Sequence, residues 1–258
     1  MATHADLVAA LAAGDLDYHA QPVLDVAAGR IAGFELLLRW QTPEGEVSVP
    51  PQLLALLRVR PGGGPRPPLR RAAAAATTLL QSDPEAFVSF NVTEGVLEAE
   101  LPDPGGWIDR LLEDLPRERV VFEIVETARV ADLARTVRTL AILRESGVRI
   151  AVDDYGTGLS DMERLRQLPI DIVKLDRRLV REGTRRPEAL DEVLAFAGGR
   201  ALPVIAEGVE TPAERDAMRA RGLVLQQGFL HGRPGSPAAW AEAAGGGPVA
   251  PGGKRTKP

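Results

Sequence analysis

A chain of 258 residues is long enough to bury roughly 70–75% of its unfolded surface around one large core. It has no cysteine, which excludes a disulfide framework and thiolate metal sites, and its net charge of -5 argues against nonspecific binding to a nucleic-acid polymer. No run of about 18 apolar residues occurs, and the N-terminus lacks a basic region followed by an apolar one, so the sequence reads as cytoplasmic with no membrane attachment.

In chain order, strand-like and helix-like segments alternate. A short helix over 7–16 stops near Gly14 and is followed by strands over 17–26 and 30–40. The junction between these strands is too short for a crossover helix, which predicts an antiparallel pair. On the second strand Glu35, Leu37 and Arg39 share one face, because side chains alternate. Helix-like stretches over 50–59 and 69–82 flank a Gly/Pro interruption that reads as a loop. A regular rhythm follows. Strands over 86–92, 119–126, 148–154, 169–176, 201–210 and 223–229 alternate with helices over 105–115, 131–147, 160–168, 187–199 and 212–222, and a last helix spans about 236–244. The tail 245–258 is Gly/Pro-rich without an apolar pattern and reads as disordered, which leaves 1–244 as one domain.

Eight strands, most of them followed by a helix, at a length near 250 residues predict an α/β fold of the TIM-like (β/α)8 barrel type with an antiparallel first strand. An open doubly wound sheet is the alternative, but no G-x-G-x-x-G opens a helix after a strand. In a barrel the C-terminal strand ends share one face, where active sites lie. Strands ending in Glu35, Asn91, Glu123, Asp153, Lys174, Glu207 and Gln227 would converge there.

The densest stretch runs from Val148 to Asp176. There Asp153 and Asp154 stand side by side before the Gly-rich turn Tyr155–Gly158, and Lys174 and Asp176 end the next strand. Two like charges 4 Å apart repel by roughly 1 kcal/mol in water and about 4 kcal/mol at an effective dielectric of 20, so a counter-charge is needed. Carboxylate and amide oxygens are hard donors suited to Mg²⁺ or Mn²⁺ rather than Zn²⁺. His4, His19 and His231 lie outside the ring, and His231 reads as a loop residue without a role. Five carboxylates plus Asn91 exceed the needs of one octahedral ion and suit two, about 3.5–4 Å apart, which clamp the oxygens of a phosphoester displacement. Arg39 on the Glu35 face adds a bidentate phosphate ligand.

The segments "GFELLLRW", "FNVTEGVL", "FEIVE", "AVDDYGTGLSDMERLRQLPIDIVKLDRRLV", "IAEGVE" and "QQGFLHGRP" resemble successive motifs of the EAL-domain family of cyclic-di-GMP phosphodiesterases, over about Tyr18 to Pro234. The resemblance implies Mg²⁺- or Mn²⁺-dependent opening of cyclic di-GMP to linear pGpG by a homodimer. By position it assigns Glu35, Asn91, Glu123, Asp153, Asp154 and Glu207 to metal, with Lys174, Glu207 and Glu35 as the catalytic set. Within that set Lys174 holds the attacking water and Glu207 serves as base. Gln21, Leu37 and Arg39 would contact the dinucleotide, Glu210 and Gln227 would support substrate binding, and Glu126 would anchor the loop after Asp154. The chain departs from the family pattern at Leu36, Ala20, Asp161 and Val125, and most of all at "RVRPGGGPRPPLRR". The resemblance also leaves open a second reading, a catalytically weak cyclic-di-GMP receptor or protein-interaction module.

Overall fold

The computed structural model describes residues 9–10, 13–42, 45–48, 69–92, 107–125, 133–155, 162–182 and 187–245. Strand β1 (Leu16–Asp25) turns into β2 (Arg30–Thr42), and Asp25 Oδ1 closes the turn by accepting from the backbone N–H groups of Ala27 and Ala28. Next along the chain come β3 (Gly45–Ser48), β4 (Phe87–Val92), β5 (Val120–Val125), β6 (Arg149–Tyr155), β7 (Ile172–Leu175), β8 (Val204–Ala206) and β9 (Leu225–Gln227). The sheet runs β1-β9-β8-β7-β6-β5-β4-β2-β3, and the β1–β2 pairing closes it. Strands β2 and β4 to β9 are parallel to one another, whereas β1 is antiparallel to both of its neighbours. The expected eight-stranded barrel is therefore present. The short β3, a hairpin extension of β2 outside the barrel wall, is an addition that the sequence reading did not include.

The alternation of side chains builds two apolar layers. Outward residues such as Val88, Phe90, Val173 and Leu175 pack under the helices, while Val23, Phe87, Val121, Ala151, Ile172 and Ile205 form a floor inside the barrel. Two positions further up each strand, the same inward phase carries Glu123 after Val121, Asp153 after Ala151, Lys174 after Ile172 and Glu207 after Ile205. The polar site thus stands directly on an apolar plug, with water excluded from beneath it.

Helix α1 (Leu69–Ser82) buries Ala72, Ala75, Ala76, Leu79 and Leu80, the three-and-four spacing of one helix face. The remaining described helices are α2 (Trp107–Leu112), α3 (Leu133–Glu145), α4 (Met162–Gln167), α5 (Arg177–Glu182), α6 (Pro187–Gly199), α7 (Pro212–Ala220) and α8 (Pro237–Gly245). Helix α5 follows β7 at once, where the sequence reading placed no helix. Asp176 starts it, its Oδ1 accepting from the backbone N–H of Arg178 at 2.8 Å. No helix among the described residues is long and apolar enough to cross a membrane. The tail beyond 245 and the segment 50–68 lie outside the described residues.

Beyond β9 the backbone of Gly228 runs against Val209, so a Cβ at Gly228 would fall 2.1 Å from the Val209 carbonyl oxygen. No side-chain rotation can relieve a clash with backbone. Gly228→Ala is expected to lower stability by about 1–3 kcal/mol, the usual cost of overpacking, and to displace Gln227 from the barrel mouth. Thermal unfolding checks this, and an unchanged midpoint would show that the two backbones can part freely.

Candidate active site

The site is centred on Lys174. Its ammonium, 1% exposed, lies 2.7 Å from Glu123 Oε2, 2.7 Å from Glu207 Oε1, 3.0 Å from Asp153 Oδ1 and 3.3 Å from Glu35 Oε2. An ammonium has three donors, so four carboxylates cannot all receive good hydrogen bonds. Asp153 Oδ1 is indeed buried without one. The carboxylate of Glu35 is further held by Asn91 Nδ2 at 2.8 Å and Gln227 Nε2 at 2.7 Å, and Gln227 also reaches Gln21 Oε1 at 3.4 Å. Gln227 Oε1 is a second buried acceptor without a donor.

Asp153 and Asp154 should point to opposite faces of a regular strand, but the backbone prevents this. Between Val152 and Tyr155 the register with β7 slips, three steps on β6 matching two on β7, and Asp154 has a φ of 56°. This bulge with a left-handed residue returns the second carboxylate toward the mouth. Asp is among the few residues that take that conformation at modest cost. As a result, ligand oxygens of Asp153, Asp154 and Glu207 lie within 4.8 Å of one another.

The electrostatics follow from burial and crowding. Burial opposes the charge on Lys174, but its four carboxylates outweigh this and hold its pKa well above the ordinary lysine value. Burial alone would raise Glu35, yet Lys174 and the Asn91 and Gln227 amides bring it below the usual carboxylate value. Glu123 is pushed up to about 8 by burial and then by the charge of Glu35, and burial with the charge of Asp153 pushes Asp154 to about 6. Glu207 is raised well above its ordinary value by burial and by Asp153. One ammonium cannot neutralise so many acids, and protons fill the deficit. Hard oxygen donors, surplus negative charge and orphaned buried acceptors together fit a divalent cation.

A pH dependence follows. Between the unfolded carboxyl values near 4 and the folded value of about 8 for Glu123, the folded state binds more protons than the unfolded chain, so metal-free stability falls as pH rises through that window. Metal-free protein is expected to melt at progressively lower temperature from pH 5 to pH 8, and Mn²⁺ to remove much of that slope while releasing protons. Melting curves at both pH values, with and without Mn²⁺, check it. A metal-free midpoint that climbs over the range would contradict the proton-filled ring.

Around these groups lies a cavity of about 280 Å³, whose wall includes Gln21, Glu35, Asp153, Asp154, Glu207 and Gln227. The sequence-derived set is thus largely brought together, with corrections. Glu35 sits in the middle of β2, not at its end, because the strand continues to Thr42. Leu37 and Arg39 stand further along β2, paired in register with His19 and Asp17, and are not among the described residues lining the cavity; Arg39 Nη1 donates to the Leu38 carbonyl at 3.0 Å. Glu210 lines the outer wall, but its carboxylate faces Arg177 at 3.2 Å and Arg181 at 2.7 Å. His231 is buried rather than a free loop residue, with Nε2 3.2 Å from Gln226 Oε1, and burial pushes its pKa down to about 4. Glu126 and most of the loop after Tyr155 lie outside the described residues. The sequence reading missed Arg177 and Phe229. The latter is 48% exposed on the cavity wall under the Arg233 guanidinium, 4.1 Å from its ring centroid.

The structure is a closed barrel with one reversed strand, its mouth built from acids around one lysine. The EAL domain family matches residues 4–234, and the chain belongs to that family. Among relatives, the chain is 32% identical over 241 residues to the cyclic di-GMP phosphodiesterase NbdA of Pseudomonas aeruginosa, covering 89% of this chain and 30% of NbdA. Among solved structures, PaMucR phosphodiesterase in complex with c-di-GMP is 28% identical with a TM-score of 0.74, covering 92% of this chain and 98% of that one. The Klebsiella pneumoniae BlrP1 manganese/cy-diGMP complex is 27% identical with a TM-score of 0.68, over 86% of this chain and 57% of BlrP1. The chain spans about a third of the length of the curated relatives it matches, 27% in the case of y4lL of Sinorhizobium fredii.

Proposed function

We propose that this chain is a phosphodiesterase that opens cyclic di-GMP to linear pGpG with Mg²⁺ or Mn²⁺. The observation that carries this reading is the ring of Glu35, Glu123, Asp153 and Glu207 around Lys174 in the mouth of an EAL barrel. The names of NbdA, PaMucR and BlrP1 support the substrate, and the manganese in the BlrP1 complex supports the cation class.

In this reading Glu35, Asn91, Glu123, Asp153, Asp154 and Glu207 hold the cations. Bound there, two such ions would polarise the phosphoryl oxygens and acidify a water. The protein's own groups do the rest. Lys174, whose three donors are taken up by carboxylates in the metal-free site, would offer an N–H to the attacking water and to charge developing at phosphorus once cations occupy those carboxylates. Glu207, partly exposed and raised in basicity, would take the proton that the water gives up once bound cations have displaced its own. Gln227 and Asn91 keep Glu35 in place through their amides. Gln21 and Phe229 offer the dinucleotide an amide and a flat aromatic face, while Leu37 and Arg39 meet its outer part. The anchoring of the loop by Glu126 and assembly as a homodimer belong to the same proposal.

Incubating purified protein with cyclic di-GMP and Mn²⁺ and separating the nucleotides is expected to yield pGpG. Tight binding without pGpG would replace this reading with that of a receptor module. Neither binding nor product would remove cyclic di-GMP as the ligand.

A further inference from the structure

The cavity wall carries six carboxylates and, among the described residues lining it, one cation, Arg177. Arg177 opens α5 directly after β7, and its stem lies against the backbone beyond β8: a Cβ at Gly208 would fall 2.3 Å from Arg177 Cβ. Its Nη2 is 3.2 Å from Glu210 Oε1, whereas Arg181 Nη2 takes Glu210 Oε2 at 2.7 Å. Glu210 is itself placed by its backbone N–H, which donates to Glu214 Oε2 at 2.8 Å in the cap of α7. Arg181 already compensates the Glu210 charge, so the Arg177 ion pair orients that guanidinium without consuming it. Its side chain remains 48% exposed, and a guanidinium has five N–H donors in a fixed fork that matches two phosphate oxygens.

Resting on the phosphodiesterase reading, we propose that Arg177 is a further substrate-binding residue that donates to a phosphodiester oxygen of the cyclic dinucleotide while Glu210 holds the guanidinium at the cavity wall. An anionic ligand entering a wall of six carboxylates needs such a donor. Glu210 is then a positioning residue that acts through Arg177.

The test is binding of cyclic di-GMP in Ca²⁺ by calorimetry, beside turnover in Mn²⁺ and thermal unfolding. Arg177→Ala is expected to raise Kd and KM about tenfold, as loss of a charge-assisted hydrogen bond does, with kcat and the Mn²⁺ requirement unchanged. Arg177→Lys, which keeps the charge and loses the fork, should fall between. Glu210→Gln should weaken binding less, and the double variant should bind no more weakly than Arg177→Ala alone. Wild-type Kd and KM in Arg177→Ala, or additive losses in the double variant, would overturn the assignment. The proposal also falls if Arg177→Ala lowers the unfolding temperature and kcat while KM stays put, since that marks a merely structural ion pair. Failure of the wild type to bind cyclic di-GMP would instead remove the phosphodiesterase reading beneath it.

Discussion

Lys174→Ala is expected to destabilise the metal-free protein by about 3–5 kcal/mol, because it removes the ammonium that, among the described residues, pairs with the buried Glu35, Glu123 and Asp153 and the partly exposed Glu207. In the variant, Glu35, Glu123, Asp153 and Glu207 face one another with no ammonium between them, and they can relax only by taking up protons or parting. Adding Mn²⁺ should restore most of the lost stability, since a divalent cation supplies the missing charge. Turnover should not return with it, remaining lower by about 10²–10³, because the donor aimed at developing charge is gone. Melting curves in chelator and in Mn²⁺, beside hydrolysis assays, separate these two roles. A variant as stable as wild type in chelator would mean that the carboxylates are compensated elsewhere, and near-normal turnover in Mn²⁺ would take Lys174 out of the chemistry.

Stripping divalent cations is expected to abolish turnover, with recovery on adding Mn²⁺ or Mg²⁺ and little on adding Ca²⁺, which prefers a larger and looser oxygen shell. The same titration should stabilise the fold, by about 2.7 kcal/mol at a hundredfold excess over the dissociation constant. Asp154→Asn is the informative companion, because Asn tolerates the left-handed backbone at φ 56° while removing the charge. That variant should fold normally and require more Mn²⁺ for half-maximal rate. Full activity in excess chelator would end the cation-dependent mechanism, and an unchanged Mn²⁺ requirement in Asp154→Asn would remove that residue from the cation site.

Much of this architecture was legible in the chain because it rests on period-two alternation. Once Val121, Ala151, Ile172 and Ile205 are placed inside a barrel, Glu123, Asp153, Lys174 and Glu207 must rise above them on the same face. Helix α6 is found at its full extent, Pro187–Gly199, as the sequence reading placed it. Other features depend on tertiary geometry. The middle position of Glu35 follows from pairing with β1 and β3, which draws β2 out to Thr42. Helix α5 hides in a six-residue stretch rich in arginine, too short for a periodic signal, and its start is fixed by Asp176. The bulge at Asp154 could be suspected from adjacent acids, but not its hand. The facing of Glu210 toward Arg177 and Arg181 is a contact between the loop after β8 and helix α5, and no local pattern encodes it.

The reversal of β1 has a mechanical meaning. Seven barrel strands carry the chain from the apolar floor to the mouth, but β1 descends: Leu16 pairs with Trp40 near the mouth, and Asp25 pairs with Arg30 at the opposite end. Polypeptide leading into Leu16 therefore arrives on the same side as the carboxylate ring. Along the way down, Gln21 is tied to the Gly232 carbonyl at 3.0 Å and to Gln227, whose other hydrogen bond fixes Glu35. A pull or twist applied ahead of residue 16 travels a few residues of one strand to reach Glu35, with no helix or opposite barrel face in between. Gln21, the register partner of Glu35, thus ties the descending strand to the carboxylate ring.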